Sequence, residues 1–282
     1  MFSSSVLLST HQVALPGILG GLGPLAHIEF EQRLLQKSVK RGACYDQNHP
    51  VWLLINAAAT PDRTRSLQGL TDDCTPWLLS YSQLLQQMGA SFLVVTCNTA
   101  HAFYHRVQPE LAIPWIHMMQ AVAHFISSEK TNSKRIGIMA TSGTLRAQLY
   151  STYLSQVGLQ PVFPSLDSAI QKGVMQSIYA PVWGIKSSGA TVSPIALQIL
   201  SKVMNWFKQQ EVDLVIAGCT ELSIGLSRLK DLTLDWVDPL DVMADLTVGA
   251  ALGEFLLKGP EELSRPEPIA FYPARSALVS GV

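Results

Sequence analysis

The same unit occurs twice in this chain of 282 residues, and each copy ends in a cysteine. The first copy begins with a glycine-rich segment at 17–24 and reaches an apolar stretch followed by Cys97. The second begins with a similar segment at 137–144 and ends in the same way at Cys219. The first glycine and the cysteine are 80 residues apart in one copy (97 − 17) and 82 in the other (219 − 137). Such a chain is expected to fold into two equivalent lobes, each placing a thiol just after a strand.

The composition excludes several classes of protein. Hydrophobic residues make up 48% and charged residues 15%, which is typical of a globular chain. The formal net charge is −1 and there is no basic block, so we expect no nucleic-acid or membrane partner. No apolar run could span a bilayer, and the first residues lack the basic segment of a secretory signal. Four cysteines in a chain of this length do not make a disulfide framework, so we expect reduced thiols and a cytoplasmic location.

Short apolar runs alternate with longer amphipathic stretches, a pattern typical of βαβ units and a parallel sheet. The predicted strands are 17–19, 51–55, 92–96 and 115–117 in the first lobe, and 135–140, 160–163, 214–217 and 235–237 in the second. The predicted helices include 26–40, 76–89, 144–158 and 193–210, with C-cap glycines at Gly89 and Gly158. The predicted fold class is therefore α/β, with two pseudo-duplicated lobes, each a mainly parallel sheet flanked by helices.

The predicted organisation places most of the chain in the two lobes. It comprises an N-terminal extension at 1–14, a first lobe at 15–118 plus 225–257, a second lobe at 119–224, and a proline-rich C-terminal tail at 258–282. A last helix around 242–248 is expected to return to the first lobe. Ligands of open α/β sheets bind outside the carboxyl ends of the strands. The active site is therefore expected in the cleft between the lobes.

Cys97 and Cys219 are the first candidates for chemistry. One cysteine beside a strand is more often a packing residue, but here both copies keep the thiol and follow it with small polar side chains. Asn98, Thr99 and Thr220 can hydrogen-bond a ligand, and N–H groups at a helix start favour a thiolate. Two such thiols suit a reaction in which one removes a proton and the other returns a proton on the opposite face.

Several segments together resemble the aspartate/glutamate racemase family, the cofactor-independent amino-acid racemases. The resemblance covers about residues 15–256 and rests on Gly-Gly-Leu-Gly-Pro-Leu-Ala at 20–26, Asn56 with Pro-Asp-Arg-Thr at 61–64, Thr-Cys-Asn-Thr-Ala-His at 96–101, Ser-Gly-Thr at 142–144 and Gly-Cys-Thr-Glu-Leu at 218–222. It implies that Cys97 and Cys219 are a catalytic acid and base that need neither a cofactor nor a metal. It also implies a homodimer.

The resemblance further implies how a substrate is held. Arg63 and Lys186 would bind carboxylates, and the planar fork of arginine suits bidentate capture. Glu221 stands where aspartate-specific members carry Glu and glutamate racemases carry His, so we expect interconversion of L- and D-aspartate. The expected substrate-binding residues are Arg63, Asn98, Thr99, Thr220, Lys186, Glu221, Gly23, Asn56 and Thr141.

Some positions depart from the family pattern and leave alternatives open. Met243 replaces a common His, Pro239-Leu240 replaces a Thr pair, and 180–183 lacks the usual acidic residues. Glutamate, a hydantoin or maleate are therefore alternative substrates. A cysteine near His101 could instead be an acyl-transfer nucleophile, which leaves the second cysteine unexplained. A non-catalytic amino-acid sensor is the alternative outside the enzymes.

Weaker signals point to other sites and are set aside. The G-x-G-x-x-A pattern at 21–26 lacks the acidic residue of a dinucleotide site and is interpreted as a tight turn into a helix with Pro24 at its first position. His101 and His105 have the spacing of zinc ligands without the glutamate of that motif, so no metal is expected. Cys44 and Cys74 have no partner motif and are interpreted as structural.

Overall fold

The computed structural model describes residues 11–188, 191–230, 232, 234–255 and 257. The strands are β1 (Pro16–Gly20), β2 (Leu53–Asn56), β3 (Phe92–Val95), β4 (Arg135–Ala140), β5 (Gln160–Val162), β6 (Leu214–Gly218) and β7 (Asp235–Val237). The helices are α1 (Pro24–Lys40), α2 (Arg63–Leu67), α3 (Thr75–Gln87), α4 (Tyr104–Val107), α5 (Met118–Glu129), α6 (Ser142–Arg146), α7 (Leu149–Gln156), α8 (Ala169–Tyr179), α9 (Ile185–Ser188), α10 (Pro194–Gln209), α11 (Thr220–Ser227) and α12 (Pro239–Ala251). Short 3-10 helices occur at Asp46–Asn48, Thr99–Phe103 and Gln108–Glu110.

The strands form two parallel sheets with matching arrangements. The order is β2-β1-β3 in the first sheet and β5-β4-β6-β7 in the second. Leu19 of β1 lies opposite Val95 of β3, and Ala140 of β4 lies opposite Gly218 of β6 in the same way. The prediction of two pseudo-duplicated parallel sheets flanked by helices is confirmed.

The predicted strand at 115–117 is reduced to a single bridge. Trp115 pairs in parallel with Leu93 of β3, and the backbone bonds there run from Leu93 N to Pro114 O (2.8 Å) and from Ile116 N to Leu93 O (2.9 Å). This segment flanks β3 as β7 flanks β6. The duplication therefore extends to the outer position of both sheets, although only one copy forms a full strand there.

The predicted helix at 144–158 is wrong as a single element. Gln148 has φ 51°, in the left-handed region, and it separates α6 from α7. A left-handed residue cannot continue a right-handed helical hydrogen-bond ladder. The glycine C-caps are confirmed, since Gly89 and Gly158 have φ of 100° and 75° just beyond α3 and α7.

A central hydrophobic core joins the two halves of the molecule. It includes buried side chains from both sheets and from the helices between them, such as Ile18, Val94, Val122, Ile138 and Met243. Each sheet also has one further hydrophobic cluster, on the face turned away from this central core. Burial of this much apolar surface provides most of the stabilisation of such a fold.

The last helix, α12, packs against α1 of the first lobe, as predicted. Two buried or half-buried cations of α1 reinforce this contact: Arg33 pairs with Asp238 at 2.7 Å and Lys37 with Asp241 at 2.7 Å. Because α1 and α12 come from opposite ends of the chain, this contact fixes the C-terminal part of the described chain to the first lobe.

The predicted boundaries can be placed only in part on this fold. The boundary that assigns 225–257 to the first lobe includes β7, which pairs with β6 in the second sheet. Most of the predicted extension at 1–14 and all of the tail at 258–282 lie outside the described residues. Among the described helices, none combines the length and the apolar character needed to cross a bilayer.

Candidate active site

The carboxyl ends of the two sheets face a common, narrow pocket. Its lining comes from the segments that follow β1, β2 and β3 on one side and β4, α8 and β6 on the other. The lining residues are Leu22, Arg63, Cys97, Asn98, Thr99, Thr141, Tyr179, Lys186, Cys219, Thr220 and Glu221. Both thiols are therefore brought to one enclosed site from two separate sheets.

A larger and more open groove lies elsewhere, against α1 and α12. Arg33, Phe125 and Asp241 are among its lining residues, and no cysteine lines it. Three of its six charged residues, Arg33, Asp238 and Asp241, form ion pairs between these two helices. The smaller pocket is therefore the candidate active site, because it holds the reactive groups.

Cys97 lies two residues beyond β3 and is only 7% exposed. Its carbonyl oxygen accepts a hydrogen bond from His101 Nδ1 at 2.9 Å, and His101 Nε2 accepts one from Trp115 Nε1 at 3.2 Å. Because indole N–H can only donate, His101 carries its proton on Nδ1 and is neutral. Burial lowers the pKa of His101 to about 4, which keeps it neutral at physiological pH.

Cys219 occupies the N-cap position of α11 and is also 7% exposed. Its Sγ–H donates a hydrogen bond to Glu221 Oε2 at 2.9 Å, and Thr220 Oγ1 donates to the same oxygen at 3.2 Å. Burial, together with the negative charge of Glu221, raises the pKa of Cys219 well above its ordinary value. Cys219 is therefore a protonated thiol in this arrangement.

Glu221 is held as a carboxylate by Lys186. Its Oε1 accepts a hydrogen bond from Lys186 Nζ, and this ion pair is nearly closed to solvent on the Glu221 side. Burial alone would raise the pKa of Glu221, but the charge of Lys186 and the hydrogen bonds from Cys219 and Lys186 together outweigh it, and the pKa is lowered. The ring of Tyr179 also lies near Lys186, with its centroid 5.7 Å from Nζ.

Arg63 is the second cation of the pocket and is 9% exposed. It begins α2, where the side chain of Asp62 caps the helix by accepting from Arg65 N at 2.9 Å. Its guanidinium donates to the carbonyl oxygens of Leu22 and Pro61, the latter at 3.0 Å. These bonds fix its planar group between the loops that follow β1 and β2.

Hydroxyl contacts join the two halves of the pocket. Thr99 Oγ1 lies 3.0 Å from both Thr141 Oγ1 and Thr144 Oγ1, and Thr141 caps α6 by accepting from Thr144 N at 3.1 Å. Tyr150 of α7 donates a hydrogen bond to Asn98 Oδ1. The two contacts of Thr99 and the bond from Tyr150 to Asn98 each link a residue after β3 with a residue after β4.

Two glycines allow the halves to approach closely. A Cβ on Gly23 would lie 2.5 Å from Glu221 Oε1 and 3.1 Å from Lys186 Nζ. A Cβ on Gly143 would lie 2.8 Å from Thr64 Oγ1. Each half thus presents a residue without a side chain to the other half, at the edge of the same pocket.

Nine of the eleven expected site residues line this pocket: Cys97, Cys219, Arg63, Asn98, Thr99, Thr141, Lys186, Thr220 and Glu221. Gly23 borders it through the contact with Glu221. Asn56 ends β2 as an exposed residue outside the lining.

The sequence analysis missed Leu22, Tyr179 and the contact of Tyr150. Leu22 lies inside a segment used for the resemblance and Tyr179 lies seven residues before Lys186, so their proximity to Gly23 and Lys186 was the available signal. No pattern links Tyr150 to Asn98, 52 residues earlier.

The remaining titratable candidates lie outside the pocket lining. His105 is exposed, Cys44 is exposed, and Cys74 is buried with its thiol donating to Pro61 O at 3.2 Å. Within the described part of the chain, no three His, Cys, Asp or Glu side chains gather in a way that could hold a metal ion.

Comparison with known proteins identifies a family and a fold. The Asp/Glu/Hydantoin racemase family matches residues 19–247. The chain is 24% identical over 238 residues to the broad specificity amino-acid racemase RacX of Bacillus subtilis, covering 84% of this chain and 97% of that protein. Its fold is similar to that of Picrophilus torridus aspartate racemase, with a TM-score of 0.66, 23% identity, and coverage of 86% of this chain and 93% of that one.

A glutamate racemase from Francisella tularensis, solved in complex with D-glutamate, also has a similar fold, with a lower TM-score. The TM-score is 0.56 at 15% identity, with 84% of this chain and 80% of that chain covered. Racemases named for different amino acids thus share this fold. From the extent of the family match, the chain belongs to the Asp/Glu/Hydantoin racemase family.

Proposed function

We propose that this racemase interconverts L- and D-aspartate with Cys97 and Cys219 as the paired acid and base. The observation that carries the proposal is that two thiols from two sheets line one pocket together with two cations and one carboxylate. A thiolate on one face removes the α-proton, and the thiol on the opposite face donates a proton to the same carbon. The product differs from the substrate only in configuration, so the two thiols exchange roles in the reverse reaction.

The charges of the pocket match those of an acidic amino acid. Arg63 and Lys186 are cationic and Glu221 is anionic, whereas aspartate carries two carboxylates and one ammonium group. Arg63 presents a planar guanidinium suited to one carboxylate, and Lys186 provides a compact charge for the other. Glu221 is then available to the ammonium group when Lys186 turns to the substrate.

The same cations would stabilise the reaction itself. Loss of the α-proton places negative charge on the α-carbon and its carboxylate. Fixed positive groups in a pocket closed to water stabilise such charge more strongly than water does. Arg63 is already held by backbone carbonyls, so it needs little reorganisation to act in this way.

A broader substrate range is the second candidate. It is favoured by the relative from Bacillus subtilis, whose name describes a broad specificity amino-acid racemase and which matches nearly its full length. Glutamate has the same charges as aspartate with one more methylene, so the charge pattern alone selects the class of acidic amino acids.

The proposal is tested by proton NMR of L-aspartate in D2O with the purified protein and no added cofactor. We expect the α-proton signal to disappear while D-aspartate forms. Cys97→Ser and Cys219→Ser should each lower the rate by about a thousandfold, within the range for loss of a general acid or base. Cys44→Ser, which changes an exposed thiol outside the pocket, should leave the rate unchanged.

Other outcomes separate the alternatives. Turnover of glutamate or of neutral amino acids at comparable rates would replace aspartate by the broader range. Exchange that survives both serine substitutions would contradict the thiol mechanism. Binding of aspartate without exchange in the wild-type protein would support a sensor instead.

A further inference from the structure

The hydrogen bond between Tyr150 and Asn98 has a role that the acid–base chemistry does not use. Tyr150 lies on α7 and is 1% exposed, and Asn98 directly follows Cys97 and is 2% exposed. The Tyr150 hydroxyl donates to Asn98 Oδ1. The two residues belong to opposite halves of the pocket, so the bond spans them.

This bond determines which way the Asn98 amide faces. The oxygen and nitrogen of an amide lie on opposite edges of one planar group, so a partner for Oδ1 also sets the direction of Nδ2. Asn98 Nδ2 is buried and has no hydrogen-bond partner among the described residues. Asn98 also lines the pocket. A buried donor without a partner is costly, and a ligand that accepts from it removes that cost.

The tyrosine is suited to act only as a donor. Its ring is packed close to Gly218, at the end of β6, where an added Cβ would lie 3.1 Å from Tyr150 Cε2. Burial, with a smaller contribution from the negative charge of Asp238, raises the pKa of Tyr150 well above its ordinary value. The hydroxyl therefore keeps its proton throughout the physiological range.

The position of Tyr150 depends on the break between α6 and α7. Gln148, with φ 51°, ends the first helix and starts the second, and Tyr150 falls in the first turn of α7. A continuous helix from α6 would change the direction in which residue 150 projects. The backbone break thus places the hydroxyl at the asparagine.

We propose that Tyr150 is a positioning residue that holds the Asn98 amide with Nδ2 toward the pocket, where it donates to a substrate carboxylate. This inference rests on the proposed function for its substrate, a dicarboxylic amino acid. Tyr150 acts through Asn98 and does not contact the reacting carbon.

The first test is the kinetics of Tyr150→Phe, which removes only the hydroxyl from a buried ring. We expect KM for aspartate to rise about tenfold and kcat to change by less than about threefold, because a ground-state carboxylate contact is weakened. Tyr153→Phe is the matched control on the same helix, since its hydroxyl faces His117 Nε2 at 3.4 Å outside the pocket lining. The control should leave both constants unchanged.

A double-mutant cycle shows whether Tyr150 acts through Asn98. In an Asn98→Ala background, Tyr150→Phe should change KM by less than about twofold. An equal effect in both backgrounds would overturn the proposal and make the hydroxyl a general stabilising group. Asn98→Asp adds a sign test: it should raise KM more than Asn98→Ala, because the second carboxylate oxygen would face the substrate. The proposal is also overturned if Asn98→Asp binds the substrate as tightly as the wild type does.

Binding of succinate, which has two carboxylates and no α-ammonium group, separates this inference from the racemase proposal. Isothermal titration calorimetry should show succinate binding about tenfold more weakly to Tyr150→Phe than to the wild type or Tyr153→Phe. If succinate binding weakens in this way but the wild-type protein does not racemise aspartate, the positioning role is kept and the proposed reaction is rejected. Racemisation with identical KM in wild type and Tyr150→Phe would reject the positioning role alone. Absence of both turnover and succinate binding would reject both.

Discussion

The surroundings of Cys97 and Cys219 differ although their places in the fold are equivalent. Each follows the strand that pairs with the first strand of its own sheet, and each is 7% exposed. Neutral aromatic side chains lie behind Cys97, where His101 and Trp115 have ring centroids 5.2 Å apart. A buried carboxylate lies beside Cys219. The duplicated fold determines where the thiols are, and the side chains acquired by each copy determine what surrounds them.

The largest expected effect concerns the ion pair on the Cys219 side. Lys186→Met leaves the buried Glu221 carboxylate without its partner and should lower the free energy of unfolding by about 3 kcal/mol. Urea denaturation at neutral pH measures the loss. Arg106→Gln is the control, because it breaks the Arg106–Asp73 pair, whose side chains are about half exposed, and should cost less than about 1 kcal/mol.

The double variant Lys186→Met with Glu221→Gln sharpens this comparison. Removing both charges should restore part of the lost stability, since an uncompensated buried charge is no longer present. Equal losses from the buried and the exposed pair would contradict the distinction between the two regions.

The next effect concerns the neutral cluster behind Cys97. Burial holds the folded-state pKa of His101 at about 4, below the unfolded value of 6.5. The contribution of this group to stability is therefore present above pH 6.5 and is lost as the pH falls toward 4. Between pH 7 and pH 5 the free energy of unfolding should fall by about 2 kcal/mol from this residue alone.

Chemical denaturation across that pH range tests the assignment. His101→Gln should remove the corresponding part of the pH dependence, whatever its effect on stability at pH 7. His105→Gln, at an exposed position one turn further along, should leave the pH dependence unchanged. An unchanged slope in the His101 variant would show that His101 is not the titrating group.

The smallest expected effect is a change in the reactivity of Cys219. Glu221→Gln removes the charge that helps to raise the pKa of this thiol, so that pKa should fall. Alkylation by iodoacetamide at a fixed pH near 8 should become about tenfold faster at Cys219, because the thiolate is the reacting form. Mass spectrometry follows both cysteines in one sample, and Cys97 should change by less than about threefold. If alkylation became faster to the same extent at both cysteines, that would indicate loosening of the whole pocket.

Much of this molecule could be predicted from its sequence, and the failures have physical causes. All seven described strands were predicted to within about two residues, because their apolar runs are bounded by clear turn residues. The strand at 115–117 was reduced to a bridge, and the helix at 144–158 was divided by Gln148. A glutamine carries no signal for left-handed backbone, so the sequence contained no warning of that break.

The candidate site was predictable where it follows strand ends and not where it depends on distant packing. Motif positions gave Cys97, Arg63 and Glu221, because each lies next to an element that the pattern reveals. The ion pair of Lys186 with Glu221 and the bond of Tyr150 to Asn98 arise only when the two halves meet. The roles of these residues, the aspartate substrate, the homodimer and the cytoplasmic location stay predictions.

The two glycines at the pocket edge determine how far the halves can close. Alanine at position 23 or 143 would insert a one-carbon spacer between them, against Glu221 in one case and Thr64 in the other. Any glycine codon becomes an alanine codon by a single base change. The depth of the cleft, and with it the size of amino acid that fits, is therefore open to evolution or engineering by one-step changes that replace none of the charged side chains of the pocket.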